Sequence, residues 1–184
     1  MREDARRNRA QLVQAALDLL LESGHEPPLD LVAKRAGVGI GTLYRHFPSR
    51  TDVLDAVGYH VLEQAAAVAE AALAHPGDGH ESLRQYLHGA VRGGVGALNL
   101  LHPLADNPSW TAQRSRVTPL LAAILERGKS DGTLRDDVDI TDVVYAVIRH
   151  SRPVELRLPH AAERAIAHRH LDRFVDGLRK TTTT

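Results

Sequence analysis

Within residues 40–50 the chain places Ile40, Gly41, Thr42, Tyr44, Arg45, His46 and Arg50, and Lys34 lies one short element upstream. Thr42, Tyr44 and His46 bring hydroxyl and imidazole groups. Lys34, Arg45 and Arg50 bring cations. Phosphate oxygens and base edges of nucleic acid are contacted by these side-chain types. Other chemistries find little support. His168 and His170 are two residues apart, so on a helix they do not share a face. His75 and His80 sit in what reads as a loop, without a third ligand, whereas a zinc site needs three or four. Cysteine is absent, which removes disulfides, thiolate nucleophiles and cysteine-ligated metals. No serine lies in a nucleophile-elbow pattern, and no glycine run precedes a phosphate-cradling helix with its lysine. The sequence therefore assigns no catalytic residue, no metal ligand and no cofactor, and an enzyme is not expected.

The polar cluster needs two short helices to hold it. Gly37 can take the positive φ that ends one helix and turns the chain, and Val38 plugs the turn. Residues 39–47 make about two turns of a second helix, with Leu43 and Phe47 stacked on its inner face. That leaves Ile40, Gly41, Thr42, Tyr44, Arg45 and His46 on the outer face or its edges. Pro48 stops the helix, and Ser49 with Asp52 can cap the next one. Two helices joined by a short glycine-containing turn form the helix-turn-helix pattern. The competing reading is a surface helix of a bundle, with Tyr44 as a partly buried aromatic.

The run Ala33-Lys34-Arg35-Ala36-Gly37-Val38, then Gly41-Thr42-Leu43-Tyr44-Arg45-His46-Phe47-Pro48-Ser49-Arg50, then Val53-Leu54, resembles the signature of the TetR (tetracycline-repressor-like) family of bacterial regulators. Ala15-Ala16, Leu19-Leu20 and Gly24 lie at the distance upstream which that family shows. The match covers roughly the first third of the chain; the remainder resembles the family in length and helical character alone. The sequence departs from the pattern at Pro28-Leu29-Asp30, where Ser or Thr usually caps the first motif helix. Proline is compatible with a first turn, but Asp30 would repel phosphate.

Composition fits a globular helical protein: 184 residues, 43% hydrophobic, 25% charged and a formal net charge of zero. Zero net charge argues against a non-specific nucleic-acid coat, so DNA contact must come from a local positive patch. No run approaches a membrane span, and the charged start lacks the apolar core of a signal peptide; the cytoplasm is the expected compartment. The fold class read from the periodicities is all-α, an N-terminal three-helix head followed by a helical bundle. The division expected is 1–48 for the DNA-binding head, 49–180 for an effector-binding and dimerisation domain, and 181–184 for a disordered tail. Helices are expected over residues 10–23, 29–36, 39–47, 49–73, 81–101, 113–129, 140–151 and 160–180. Asn107-Pro108 is expected to interrupt the stretch between the fifth and sixth. Gly89, Gly93, Gly94 and Gly96 fall inside the expected helix 81–101, where each costs about 1 kcal/mol against alanine. They imply a kink, close helix packing or a cavity wall.

By resemblance, the second domain binds a small-molecule effector between the long fourth helix and those after it. The positions proposed to line that pocket are Tyr59, Leu62, Tyr86, Leu87, Val91, Leu98, Trp110, Leu121 and Tyr145, with Asn99, His102 and Arg149 able to orient a polar group. The last helix carries apolar residues on two stripes. One stripe can face the subunit's own core and the other needs a second surface, which the resemblance places on a partner copy. The interface expected is Val144, Ile148, Ala165, Ile166, Leu171, Phe174, Val175 and Leu178. The function implied is a homodimeric regulator that reads a pseudo-palindromic operator and responds to an effector, most simply a repressor. The alternative is a ligand-sequestering helical protein whose motif no longer reads DNA.

Overall fold

A computed structural model describes residues 2–101, 107–151 and 158–181. Among them the chain is all helical: α1 (Arg2–Ser23), α2 (Leu29–Arg35), α3 (Ile40–His46), α4 (Arg50–Ala74), α5 (Gly79–Arg92), a 3-10 turn (Val95–Asn99), α6 (Pro108–Ser130), α7 (Ile140–Ser151) and α8 (His160–Gly177). No helix among the described residues is long and apolar enough to cross a membrane.

Helices α1 to α3 close around Leu12, Ala16, Leu20, Val32, Leu43 and Phe47, all buried. Of the two inward options on α2, Val32 is buried and Leu31 is exposed. The long helix α4 starts from a reciprocal cap. The Ser49 hydroxyl accepts from the Asp52 amide, and the Asp52 carboxylate accepts from the Ser49 amide at 2.8 Å. Two apolar clusters divide α4 between them. Val53, Leu54, Val57, Val61 and Leu62 join the head. Ala65, Ala66, Ala69 and Ala72 join a second cluster with α5, α6, α7 and α8.

The head's cluster also takes in Ala97, Leu101 and Trp110, which come much later in the chain. Trp110 is seated by three features of α4. Its indole N–H donates to the Asp55 carbonyl at 3.1 Å, and Asn107 Nδ2 donates to the Asp55 carboxylate at 2.6 Å. Gly58 makes room for the ring: a Cβ there would lie 1.8 Å from Trp110 Cζ2.

Two expectations about elements are corrected. The helix expected over 81–101 ends at Arg92, because Gly94 adopts φ 77° and the chain restarts as the 3-10 turn. Close packing accompanies the break, for a Cβ at Gly89 would meet Val68 Cγ1 at 2.4 Å. Asn107-Pro108 begins a helix among the described residues: Asn107 caps α6 through Ser109 and Pro108 occupies its first turn, where proline loses no hydrogen bond. The expected polar contribution of His102 and the tail at 182–184 lie outside the described residues.

Candidate nucleic-acid interface

The motif is built by short-range contacts. Gly37 closes α2 with φ 71°, its amide donating to the Lys34 carbonyl at 3.2 Å, and Val38 donates to Ala33 at 3.0 Å. Val38 is half-buried against the head cluster. Gly39 then accepts from Thr42 and Leu43, starting α3. Because Leu43 is fully buried, the helix is locked in rotation about its axis. Ile40 is left 43% exposed and Tyr44 50% exposed on one stripe a turn apart. Gly41 and Arg45 are exposed, and Thr42 and His46 are half-buried at the edges. Lys34 is exposed on α2.

Several charged groups are already engaged inside the head. Arg45 donates to Thr42 Oγ1 at 2.9 Å, one turn back on the same helix. Arg35 forms a two-pronged pair with Glu22, both contacts 2.9 Å, which ties α2 to α1. The Arg9 guanidinium lies 4.9 Å from the centre of the Phe47 ring, a cation–π contact that holds α1 to the end of α3. Arg50, expected at phosphate, instead donates to the Pro27 carbonyl at 3.1 Å and lies 3.9 Å from Glu26. It clamps the turn between α1 and α2, and half of its side chain stays open to solvent. Pro28 at the N-cap leaves α2 without a side-chain cap, and Asp30 is exposed in its first turn.

This geometry, an inward leucine with an outward Ile40–Tyr44 stripe on a seven-residue helix set by a glycine turn, agrees with two sequence families that together span most of the chain. Residues 12–57 match the family described as bacterial regulatory proteins, tetR family. Residues 78–180 match the C-terminal domain of SbtR-like transcriptional regulators. The chain belongs to the TetR family.

Relatives of this TetR-family chain reinforce both halves. A helix-turn-helix transcriptional regulator of Staphylococcus aureus is 38% identical over 65 residues, 35% of this chain and 33% of that one. The chain thus matches about a third of the length of such curated relatives. The TetR transcriptional regulator of Streptomyces coelicolor is 28% identical, with TM-score 0.64 over 95% of this chain and 99% of that one. The TetR regulatory protein of Mycobacterium vanbaalenii is likewise 28% identical, with TM-score 0.66 over 97% and 98%. LfrR of Mycobacterium smegmatis, solved with proflavine, shares the fold at 20% identity and TM-score 0.68, over 91% and 95%.

The nine positions expected to line an effector pocket do not meet in one place. Leu62 and Trp110 are buried in the head cluster, and Leu98 packs against it. Tyr86, Leu87 and Leu121 are buried in the second cluster, with Val91 beside them. Burial pushes the Tyr86 phenol up to about 12. Tyr59 is partly exposed, and Tyr145 is 64% exposed on the outer side of α7. A surface groove of about 390 Å³ does run between α4 and α5, lined by Val68, Ala72, Arg84, His88, Gly89 and Arg92, none of them among the nine.

The expected dimer surface also divides. Leu171 and Val175 are fully buried within the subunit, so they do not belong to an outer stripe. Packing of α8 on α5 and α7 takes that side of the helix inward. Phe174, Ile166, Ile148 and Leu178 are half-buried, and Val144 and Ala165 are exposed.

Sequence reasoning missed a polar junction between α5 and α8. Arg84 pairs with Asp172 at 2.5 Å and with Asp176. His88 bonds Asp172 through Nε2 at 2.9 Å and stacks on His168 with Nδ1 atoms 2.7 Å apart. Arg84, His88 and Arg92 recur every four residues, a polar stripe visible in the sequence had its partner helix been known. His80, read as a loop residue, is fully buried in α5.

Proposed function

We propose that the chain acts as a homodimer that binds a pseudo-palindromic operator, represses transcription and leaves the DNA when a small molecule binds. The observation that carries operator reading is α3 itself: Leu43 fixes its rotation from inside, and Ile40, Tyr44 and Arg45 face solvent where a major groove would lie. Lys34 and His46 flank that face and Arg50 stands at its rim with its charge partly neutralised by Glu26. The head at 1–48 and the body at 49–180 are the division this reading uses, in the cytoplasm where the chromosome lies.

Dimerisation is supported by the large apolar groups left outside on α7, Val144 and Tyr145, beside Ala165, Ile166 and Phe174 on α8. Two copies of such a helix pair form a two-fold four-helix contact. A dimer of this kind would hold its two recognition helices about 34–36 Å apart, one turn of DNA. The effector part rests on the shared fold with LfrR, which was solved with proflavine. An effector favouring one spacing of the heads shifts the population and with it the DNA affinity.

Selection of random duplex DNA by the purified protein at physiological salt tests the reading. It should enrich a palindromic site. No enrichment by a folded dimer would favour the sequestering alternative, which the exposed Asp30 at the start of α2 supports.

A further inference from the structure

Ile40 occupies an unusual position for a large aliphatic side chain. It is the first residue of α3 and 43% of it is open to solvent, although Leu43 three residues on is fully buried. Its neighbours Gly39 and Gly41 have no packing reason to lack side chains, since a Cβ at either would meet nothing within 4 Å. Bare backbone on both sides lets that turn approach another surface closely, with Ile40 the side chain that leads. On the same helix Arg45 donates to Thr42 Oγ1 at 2.9 Å, which engages the Thr42 hydroxyl. Tyr44, one turn along, continues the stripe with an aromatic ring.

An isoleucine offers no donor or acceptor. Set against the polar edge of a guanine or an adenine, it would strip water from groups it cannot satisfy. The apolar feature that a base edge presents in the major groove is the C5 methyl of thymine. Resting on the operator reading above, we propose that Ile40 reads the C5 methyl of one thymine in each half-site. This makes it a specificity-determining residue rather than a phosphate contact. Contact with Ile40 takes the thymine methyl, about one methyl group's worth of apolar surface, out of water. The corresponding gain is about fourfold in affinity per half-site.

The test uses the full-length protein and the site it selects. Each thymine is replaced in turn by deoxyuridine, which removes the methyl and leaves the base pair intact. At one symmetric pair of positions the wild-type protein should lose about fourfold per half-site. Ile40→Ala should bind the thymine site more weakly and lose nothing further on the deoxyuridine site. Tyr44→Ala should keep the deoxyuridine penalty. If no position responds to methyl loss, or the penalty persists in Ile40→Ala, the assignment is overturned while operator reading stands. If no site is enriched at all, operator reading falls and the assignment falls with it. Ile40 is exposed, so the variant should keep the wild-type melting profile; a changed profile would place Ile40 in the fold and overturn the assignment.

Discussion

The head and the body of this TetR-family chain are held together by different means. In the head, large aliphatic and aromatic side chains fill the space between short helices, and the polar contacts are of short or middle range: Arg35 holds Glu22 13 positions back and Arg50 holds Pro27 23 positions back. The Ser49–Asp52 cap and the Arg45–Thr42 pair each bridge three positions. In the body, α4 offers Ala65, Ala66, Ala69 and Ala72, and α5 offers Gly79 and Gly89, so that helices approach closely. Polar clips then cross most of the chain. His80 donates from Nε2 to the Val175 carbonyl at 2.9 Å and accepts from Arg179 at Nδ1, partners 95 and 99 residues away. The head draws most of its core from α1 to α4, with Ala97, Leu101 and Trp110 as later additions; the body is clipped where its last helix returns to α5.

The largest expected effect breaks the body at that return. Val175 is fully buried in the second cluster, and its carbonyl is held by His80. An unpaired carboxylate there costs about 5 kcal/mol, on the scale of a whole domain's stability of about 5–15 kcal/mol. Val175→Asp should abolish cooperative thermal unfolding by circular dichroism. A variant that melts like wild type but sediments as a monomer would instead put Val175 on an outer face.

Next is the place where the comparison blurs, since Trp110 belongs to α6 yet fills the head's core. Trp110→Ala should cost about 3–5 kcal/mol in urea unfolding, from the lost ring and the cavity beside Gly58. A loss under 1 kcal/mol would mean the head holds its core without help from α6.

Reading the sequence succeeded where structure is local and faltered where it is not. Gly37 at the turn, Leu43 and Phe47 inward, and the Ser49 cap all follow from residues within one or two turns of each other. Gly94 was visible as a weakness in an expected helix, but only its left-handed backbone decides that the chain breaks there rather than bends. The two stripes of α8 were equally visible. Which one turns inward depends on where α5 and α7 lie, and that placed Leu171 and Val175 in the core. Arg50 shows the same limit within the interface: its type fits phosphate, while Pro27, 23 residues upstream, supplies the carbonyl it holds.

A smaller effect should touch function and spare stability. Tyr44 is half exposed. Tyr44→Ala should weaken binding to the selected operator by about 1–3 kcal/mol in gel-shift titrations at fixed salt, with the urea midpoint unchanged. An equal fall in both would make the ring part of the head's packing, and unchanged affinity would remove it from the interface.

The smallest expected effect concerns the α5–α8 junction. His88 Nε2 lies 2.9 Å from Asp172 Oδ1, and its Nδ1 lies 2.7 Å from Nδ1 of the stacked His168. Burial first, then the neighbouring His88 and Arg92, hold the His168 imidazole below its ordinary value, while Asp172 pulls the other way. Arg164 adds a smaller positive charge that acts in the same direction as Arg92. A histidine whose pKa is lower folded than unfolded takes up its proton first in the unfolded chain. Its contribution to stability is complete above the unfolded value near 6.5 and shrinks as the pH falls below it, towards the lower folded value. The urea midpoint of wild type should therefore drop on going from pH 7.5 to pH 5.5 by more than that of His168→Gln, whose side chain does not titrate. Parallel profiles for the two proteins would mean that His168 carries no pH dependence of the fold.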